Sequence, residues 1–196
     1  LAEVRAFLEQ GIDGMVLVGA EHDPKVFEIL ESSATPFILT YTHKSDSAYP
    51  CVGFDNFASA YRLTEYMIGL GHRRFGLIRT DTRWNDRVAQ RVAGIRAALA
   101  DHSIPEPIEH VLEASYSISI GRAAFRRLMT GAKPPSAVIC SNDVFGVGAL
   151  LESRALGIEV PKTVSVVGFD DLELAAEIEP GLTTCQIPIQ EMTDRV

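Results

Sequence analysis

Cysteine is scarce in this sequence, and its three residues, Cys51, Cys140 and Cys185, lie far apart along the chain. Disulfide frameworks and zinc sites need cysteines that cluster at short spacings, and no C-x-x-C is present. Each cysteine also falls in a short apolar run. We therefore expect three buried, free thiols in a reducing compartment, and no metal site built on cysteine.

Basic residues are outnumbered, with 18 lysines and arginines against 26 aspartates and glutamates, which gives a net charge of −8. Nucleic-acid-binding surfaces are basic, so any DNA-binding module is expected to lie outside these residues. Long apolar runs are missing as well. No stretch approaches about 18 consecutive apolar residues, so no membrane span is expected. Leu1 falls directly in a helical pattern, which indicates that the sequence begins inside a longer chain.

Recognisable catalytic motifs are also absent. Ser141 does not lie in a G-x-S-x-G elbow, and none of the five histidines belongs to an H-E-x-x-H motif. Asp170 and Asp171 are neighbours at a strand end, where adjacent side chains point to different sides, so they do not form a pair of catalytic carboxylates. The sequence therefore predicts a protein that is not an enzyme, with no catalytic residues, no metal and no cofactor.

Two glycines, Gly146 and Gly148, give a short G-x-G pattern without its usual context. A dinucleotide-binding G-x-G-x-x-G lies in the turn between a strand and a helix, whereas these glycines fall inside a helical pattern. Leu151 also occupies the position of the third glycine. We expect these glycines to let the helix approach its sheet closely.

Residues 135–171 carry the pattern around which the chain is organised. A strand over 137–141, a helix over 144–155 and a strand over 165–169 form a buried parallel βαβ unit. Strands and helices alternate along the rest of the chain. The links around Gly53 and around residues 185–187 contain no crossover helix, as expected where two lobes are joined by crossing strands. The predicted fold is therefore α/β, with parallel sheets in two lobes.

Polar residues stand at two strand ends of this βαβ unit. Ligands of open parallel sheets bind outside the carboxyl ends of the strands, which makes Asn142 and Asp170 candidate ligand-binding residues. The alternative is helix capping, for which such side chains are preferred. For Asn142 and Asp143 both interpretations can hold, one residue capping the helix while the other faces the ligand.

Two arginines follow the strand that starts near residue 74. Arg87 and Arg91 are four residues apart on a helix that Asp86 is expected to cap. They form either a solvated face or a pair of donors for a carboxylate, a phosphate or sugar hydroxyls. Trp84 and Tyr116 are candidates for stacking against a ligand ring, with ordinary packing as the alternative.

Several runs together resemble the lactose-repressor family of bacterial transcription regulators. The likeness covers nearly the whole chain in the right order, and it is strongest from residue 52 onward. The runs are VGFDN (52–56), GLGHRRFGLI (69–78), the R-x-x-G of 91–94, CSNDVFGVGAL (140–150), VPKTVSVVGFDD (160–171) and LTTCQIP (182–188).

The resemblance implies a regulatory domain shaped like a periplasmic sugar-binding protein, with a small-molecule effector between two lobes. The N-terminal lobe would comprise residues 1–53 and 187–196, and is incomplete, and the C-terminal lobe residues 54–186. Family members are usually cytoplasmic homodimers or tetramers that bind operator DNA through an N-terminal helix-turn-helix, which this sequence lacks. Lobe closure would be coupled to operator affinity.

The resemblance also implies an effector site. Tyr41 stands where many members keep an aspartate, so this chain lacks one carboxylate acceptor. Together with Arg87 this suggests an acidic effector, such as a sugar acid or sugar phosphate, as an alternative to a plain sugar. The positions that match the family's effector site are Arg91, Asn142, Asp170, Tyr116 and Tyr41, with Asn85 and Arg87 in the entry to the same pocket.

A second function fits the same fold, namely a periplasmic sugar-binding protein that feeds a transporter. The three unpaired cysteines and the runs GHRR and VGFDD count against it. A signal peptide upstream of Leu1 would favour this second function, and a helix-turn-helix there would exclude it.

Overall fold

The computed structural model describes residues 1–43, 46–112 and 116–196, with the backbone alone described for residues 108–112. Within these ranges, helices and strands alternate along most of the chain. The strands are β1 (Met15–Val18), β2 (Phe37–Thr40), β3 (Cys51–Val52), β4 (Phe75–Thr80), β5 (Ile108–Leu112), β6 (Ala137–Cys140) and β7 (Ser165–Val167). The helices are α1 (Ala2–Glu9), α2 (Pro24–Ser32), α3 (Asn56–Gly69), α4 (Asp86–Asp101), α5 (Ile118–Met129), α6 (Asp143–Ala155), α7 (Glu173–Glu177) and α8 (Ile189–Thr193).

The strands form two parallel sheets. The first has the order β1-β2-β3, and the second has the order β5-β4-β6-β7. In the second sheet Ile78 is paired with Cys140, so the carboxyl ends of β4 and β6 lie side by side. The predicted α/β class with parallel sheets is confirmed.

The chain divides into two compact units. The first comprises Leu1–Asn56, Thr82–Ala89 and Pro188–Val196, and the second comprises Phe57–Asp81 and Gln90–Ile187. Residues 82–89, expected in the C-terminal lobe, lie in the compact unit that contains the first sheet. The physical reason is local: Asp86 and Arg87 hydrogen-bond to the chain just after and at the end of β1. The division into two functional lobes stays a prediction.

The first unit packs α2 against its sheet. The Asp23 Oδ1 accepts a hydrogen bond from the Lys25 N–H at 3.0 Å, and Pro24 occupies the first turn, as the sequence predicts. Leu30 is fully buried, and the rings of Phe27 and Tyr49 stack with centroids 4.7 Å apart. This apolar cluster stabilises the sheet that ends at Val18 and Thr40.

The second unit has its core between the sheet and the helix pair α5 and α6. A Cβ atom on Gly148 would lie 2.5 Å from the Ile118 carbonyl oxygen, and one on Gly121 would lie 2.8 Å from the Phe145 Cα. The expectation that the glycines of α6 serve its approach to the sheet is therefore wrong for Gly148. This glycine allows close contact with α5, which lets both helices cover the sheet.

Two short segments differ from the predictions. Cys51 and Val52, expected to be a link, pair in parallel with Leu39 and Thr40 as strand β3. A strand predicted over residues 110–114 is found at Ile108–Leu112, and residues 113 and 114 lie outside the described part of the chain. Of the helices that the structure describes, none has the length and apolar character needed to span a membrane.

Candidate functional site

Asn142 follows β6 and caps α6. Its Oδ1 accepts a hydrogen bond from the Phe145 N–H at 2.9 Å. The residue is only 4% exposed, and its Nδ2 has no hydrogen-bond partner among the described residues. Capping is thus confirmed, and the amide nitrogen still offers a donor at the carboxyl end of the strand. The Asp143 carboxylate is not available to a ligand in the same way, since it accepts hydrogen bonds from the Leu172 N–H and the Thr184 hydroxyl.

Arg91 lies in α4 and is 6% exposed, so it is not part of a solvated face. Its Nη1 donates a hydrogen bond to the Ser141 carbonyl at 2.7 Å and lies 3.1 Å from the Asp170 Oδ1. The guanidinium also stacks over the Phe169 ring, with its Cζ 3.7 Å from the centroid. Burial lowers the pKa of Arg91, and the Asp170 charge opposes that shift.

Asp170 lies three residues after the end of β7 and has a strained backbone conformation. Its φ is +117°, and that of Asp171 is +55°. Non-glycine residues rarely adopt such angles, which cost about 1–3 kcal/mol each and cluster at functional sites. The Asp170 N–H donates to the Cys185 carbonyl at 2.9 Å. The side chain keeps about a quarter of its surface exposed, at 24%, so its carboxylate can accept a further donor.

Two more buried polar groups border Asn142. The hydroxyls of Thr80 and Ser141 have no hydrogen-bond partner among the described residues. Because Ile78 pairs with Cys140, the chain register places Thr80 beside Asn142 at the ends of β4 and β6. Neither residue is among the binding candidates predicted from the sequence. For Thr80 the available signal was a polar residue closing an otherwise apolar strand.

Tyr116 lies near the start of α6 on the second unit. Its ring is 52% exposed, and its centroid is 5.7 Å from that of the buried Phe145. Phe145 is also the residue whose N–H is capped by Asn142. The structure therefore brings together four of the predicted positions, namely Arg91, Asn142, Asp170 and Tyr116, around the carboxyl ends of β4, β6 and β7.

The other three predicted positions belong to the first unit. The Arg87 Nη1 donates to the Val18 carbonyl at 3.0 Å and pairs with the Asp86 Oδ1 at 3.0 Å. Asn85, and not Asp86 as expected, caps α4, since its Oδ1 accepts from the Val88 N–H at 3.2 Å. Arg87 is therefore held against β1, and the alternative in which it forms a solvated face is wrong.

Tyr41 follows β2 with a φ of +61°. Its N–H donates to the Val52 carbonyl, and its own carbonyl accepts from the Asn56 Nδ2, both at 3.0 Å. The backbone of Tyr41 is thus fixed between β3 and the start of α3, and its half-buried side chain is at the carboxyl end of the first sheet.

The three cysteines are free thiols, but only Cys140 is buried. The expectation of three buried thiols is wrong for Cys51 and Cys185, which are half-buried because they lie in β3 and in the segment beside β7, near the margins of the sheets. Burial raises the pKa of the Cys140 thiol. Within the described ranges, no three His, Cys, Asp or Glu side chains gather as metal ligands would.

Comparison with known proteins places this chain in a family. Residues 64–196 match the periplasmic binding protein-like domain. The HTH-type transcriptional regulator GntR of Escherichia coli strain K12 is 29% identical over 189 residues, which cover 96% of this chain and 56% of the relative. The chain thus spans about half the length of this relative.

Solved structures agree with this match. The transcription regulator GntR from Chromobacterium violaceum superposes with a TM-score of 0.91 at 30% identity, over 97% of this chain and 70% of that chain. A LacI family transcriptional regulator from Enterococcus faecium, solved with bound ribose, gives a TM-score of 0.85 at 25% identity, over 99% and 72%. The chain therefore belongs to the periplasmic binding protein-like domain family, in the form of the effector-binding domain of lactose-repressor-type transcriptional regulators.

Proposed function

We propose that this domain binds a small polyhydroxylated effector at the carboxyl ends of β4, β6 and β7. The observation that carries the proposal is the buried Arg91–Asp170 pair beside the unpartnered Asn142 amide. Because burying an unpaired polar group costs about 1–3 kcal/mol, its presence at this edge favours a site completed by a ligand. Sugar hydroxyls both donate and accept, so they suit a carboxylate, a guanidinium and an amide placed together.

Aromatic and uncharged groups add to this chemistry. The half-exposed Tyr116 ring offers a face on which the C–H surface of a sugar ring packs. Thr80 and Ser141 supply hydroxyls that donate or accept as the ligand requires. Together these groups favour a ligand with several hydroxyls over a purely apolar one.

The charges at both arginines favour an uncharged sugar as the first candidate. Asp170 offsets the charge of Arg91, and Asp86 offsets that of Arg87. The relative from Enterococcus faecium that was solved with ribose supports the same class. An acidic sugar is the second candidate, because the resemblance puts Arg87 in the entry to the effector pocket and Tyr41 where many family members keep an aspartate.

The regulatory role follows the family. The matched relatives are named transcriptional regulators, which supports a cytoplasmic effector sensor over a periplasmic transport protein or an enzyme. Operator DNA would be bound by a helix-turn-helix module outside this chain, in a homodimer. The effector would bind between two lobes and shift the population toward a closed state, with a coupling free energy of about 1–3 kcal/mol.

Matched pairs of sugars and their acids test this function. We expect calorimetry with D-ribose, D-glucose, D-ribonate and D-gluconate to show binding of at least one neutral sugar. Arg87→Ala, with folding checked by thermal unfolding, is expected to leave the affinity for that sugar within about twofold, since Arg87 is not needed for uncharged hydroxyls. If only an acid binds, and Arg87→Ala abolishes it, the acidic class is correct. If the uncharged and acidic members all fail to bind, the polyhydroxyl proposal is wrong.

A further inference from the structure

We infer that Asp143 and Thr184 form a clamp that positions Asp170 for the effector, an inference that rests on the proposed function only in naming Asp170 as a ligand contact. Asp143 is the first residue of α6, and its side chain is fully buried. Its Oδ1 accepts a hydrogen bond from the Thr184 hydroxyl at 2.6 Å, and its Oδ2 accepts one from the Leu172 N–H at 2.8 Å. The Asp143 carboxylate thus connects α6 to the loop after β7 and to residues 182–187, which we call the returning segment.

The returning segment runs parallel to β7 and its extension. Val167 bridges to Thr183, and Asp170 bridges to Gln186. The Gly168 N–H donates to the Thr183 carbonyl at 2.8 Å, and the Asp170 N–H donates to the Cys185 carbonyl at 2.9 Å. The backbone on both sides of Asp170 is therefore registered against this segment, and Thr184 is the residue that connects the segment to α6.

Thr184 also contacts one of the two strained aspartates, Asp171, directly. The Asp171 N–H donates to the Thr184 Oγ1 at 3.3 Å, while the same hydroxyl donates to Asp143. Residues held at φ values of +117° and +55° persist only where their surroundings over-determine them. The chain Asp143–Thr184–Asp171 supplies that constraint immediately next to Asp170, whose carboxylate faces Arg91.

Gly168 shows how closely the clamp is packed. A Cβ atom at this position would lie 2.2 Å from the Asp143 Oδ1 and 2.8 Å from the Leu182 Cδ2. Any side chain there would displace the carboxylate from its two donors. The glycine of the run VGFDD is thus explained by the Asp143 carboxylate, which links the two runs CSNDV and VGFDD of the sequence.

Hydrogen exchange resolved to single amides tests the clamp on the intact chain without any ligand. Thr184→Val keeps the shape of the side chain and removes its hydroxyl. We expect the backbone amides of Asp170 and Leu172 to exchange at least tenfold faster in this variant. The substitution leaves their own acceptors in place, which are the Cys185 carbonyl for Asp170 and the Asp143 Oδ2 for Leu172. Asp143→Asn, which leaves one acceptor oxygen for two donors, is expected to accelerate the same amides.

Two variants separate positioning from general destabilisation. Thr184→Ser restores the hydroxyl and is expected to restore slow exchange, and Thr183→Val is the matched control because its exposed side chain is adjacent and its carbonyl remains. Acceleration confined to the Asp171 amide, or equal exchange in the serine and valine variants, would overturn the clamp. Titration of the wild-type chain with D-ribose and D-ribonate is read separately: a failure of both with the clamp intact would count against the proposed function alone.

Discussion

The two polar atoms of the Asn142 amide differ in their hydrogen bonding. The oxygen caps α6 and the nitrogen remains unpartnered among the described residues at the edge of the second sheet. A cap needs only an acceptor, so capping by itself would be served equally by aspartate or serine. An amide at this position adds a donor that the helix does not use, and the proposed function assigns that donor to the effector.

Two substitutions at Asn142 separate the roles of these two atoms. Asn142→Asp keeps the acceptor at the start of α6, where a carboxylate suits the helix N-terminus, although burial of its charge at a position only 4% exposed opposes that gain. The donor is lost, so affinity for the effector is expected to fall at least tenfold. Asn142→Ala is expected to lose both, with about 0.5–2 kcal/mol less stability. Thermal unfolding and calorimetry measure the two effects, and an aspartate variant that binds as wild type does would refute the donor role.

At this scale the sequence predicted what depends on local position. Strand ends and family motifs predict Arg91, Asn142 and Asp170 as binding residues, and the structure brings these three side chains to one edge. The sequence does not predict Thr80 and Ser141 as candidates, because an unpartnered hydroxyl is recognisable only once its surroundings are known. The engagement of Arg87 with Val18 could not be predicted either, since it joins residues 69 positions apart.

The packing of α5 against α6 fixes the start of α6, where Asn142 and Asp143 lie. The close contact depends on Gly121 and Gly148, where a Cβ atom would meet the backbone of the other helix at 2.8 Å or less. Backbone atoms cannot move aside as the end of a flexible side chain can. Separation of these helices would move the start of α6, and with it Asn142 and Asp143.

A pair of glycine substitutions tests this contact. Gly148→Ala is expected to destabilise the chain by about 1–3 kcal/mol, because the added methyl group forces α5 and α6 apart. Gly69→Ala is the matched control: it lies at the end of α3 with nothing within 4 Å of the added Cβ, and alanine is the better helix former there. Urea unfolding of both variants gives the comparison. Equal stability of the two variants would show that the packing of α5 on α6 tolerates the methyl group.

Element prediction succeeded where the pattern is long and failed where it is short. The βαβ unit over residues 135–171 has a clear period, and its strands and helix were found with ends shifted by one or two residues. Strand β3 is only two residues long, and it exists because Leu39 and Thr40 offer it a parallel partner. Such pairing is a tertiary interaction, so two apolar residues beside Gly53 could not reveal it.

For the whole molecule, the order of motifs along the chain carried the family assignment, and the comparisons confirm it. Two links without crossover helices predict two lobes, and that division stays a prediction. The compact unit around the first sheet includes residues 82–89, because Asp86 and Arg87 hydrogen-bond to the chain around Val18 and Ala20. These contacts join distant parts of the chain, so local sequence patterns do not predict them. The net charge of −8 argues against a basic nucleic-acid-binding surface on this chain.

The central claim is that Asp170, held opposite Arg91, binds hydroxyl groups of an effector. Calorimetric titration of the wild type, Asp170→Asn and Asp171→Asn with D-ribose and D-glucose tests it most directly. Hydrogen bonds to a charged group are worth about 1.5–3 kcal/mol, so Asp170→Asn is expected to weaken binding by about 10-fold to 150-fold. Asp171→Asn, whose exposed side chain lies one residue away, is expected to bind within about twofold of wild type. Equal affinities of the wild type and Asp170→Asn would contradict the account.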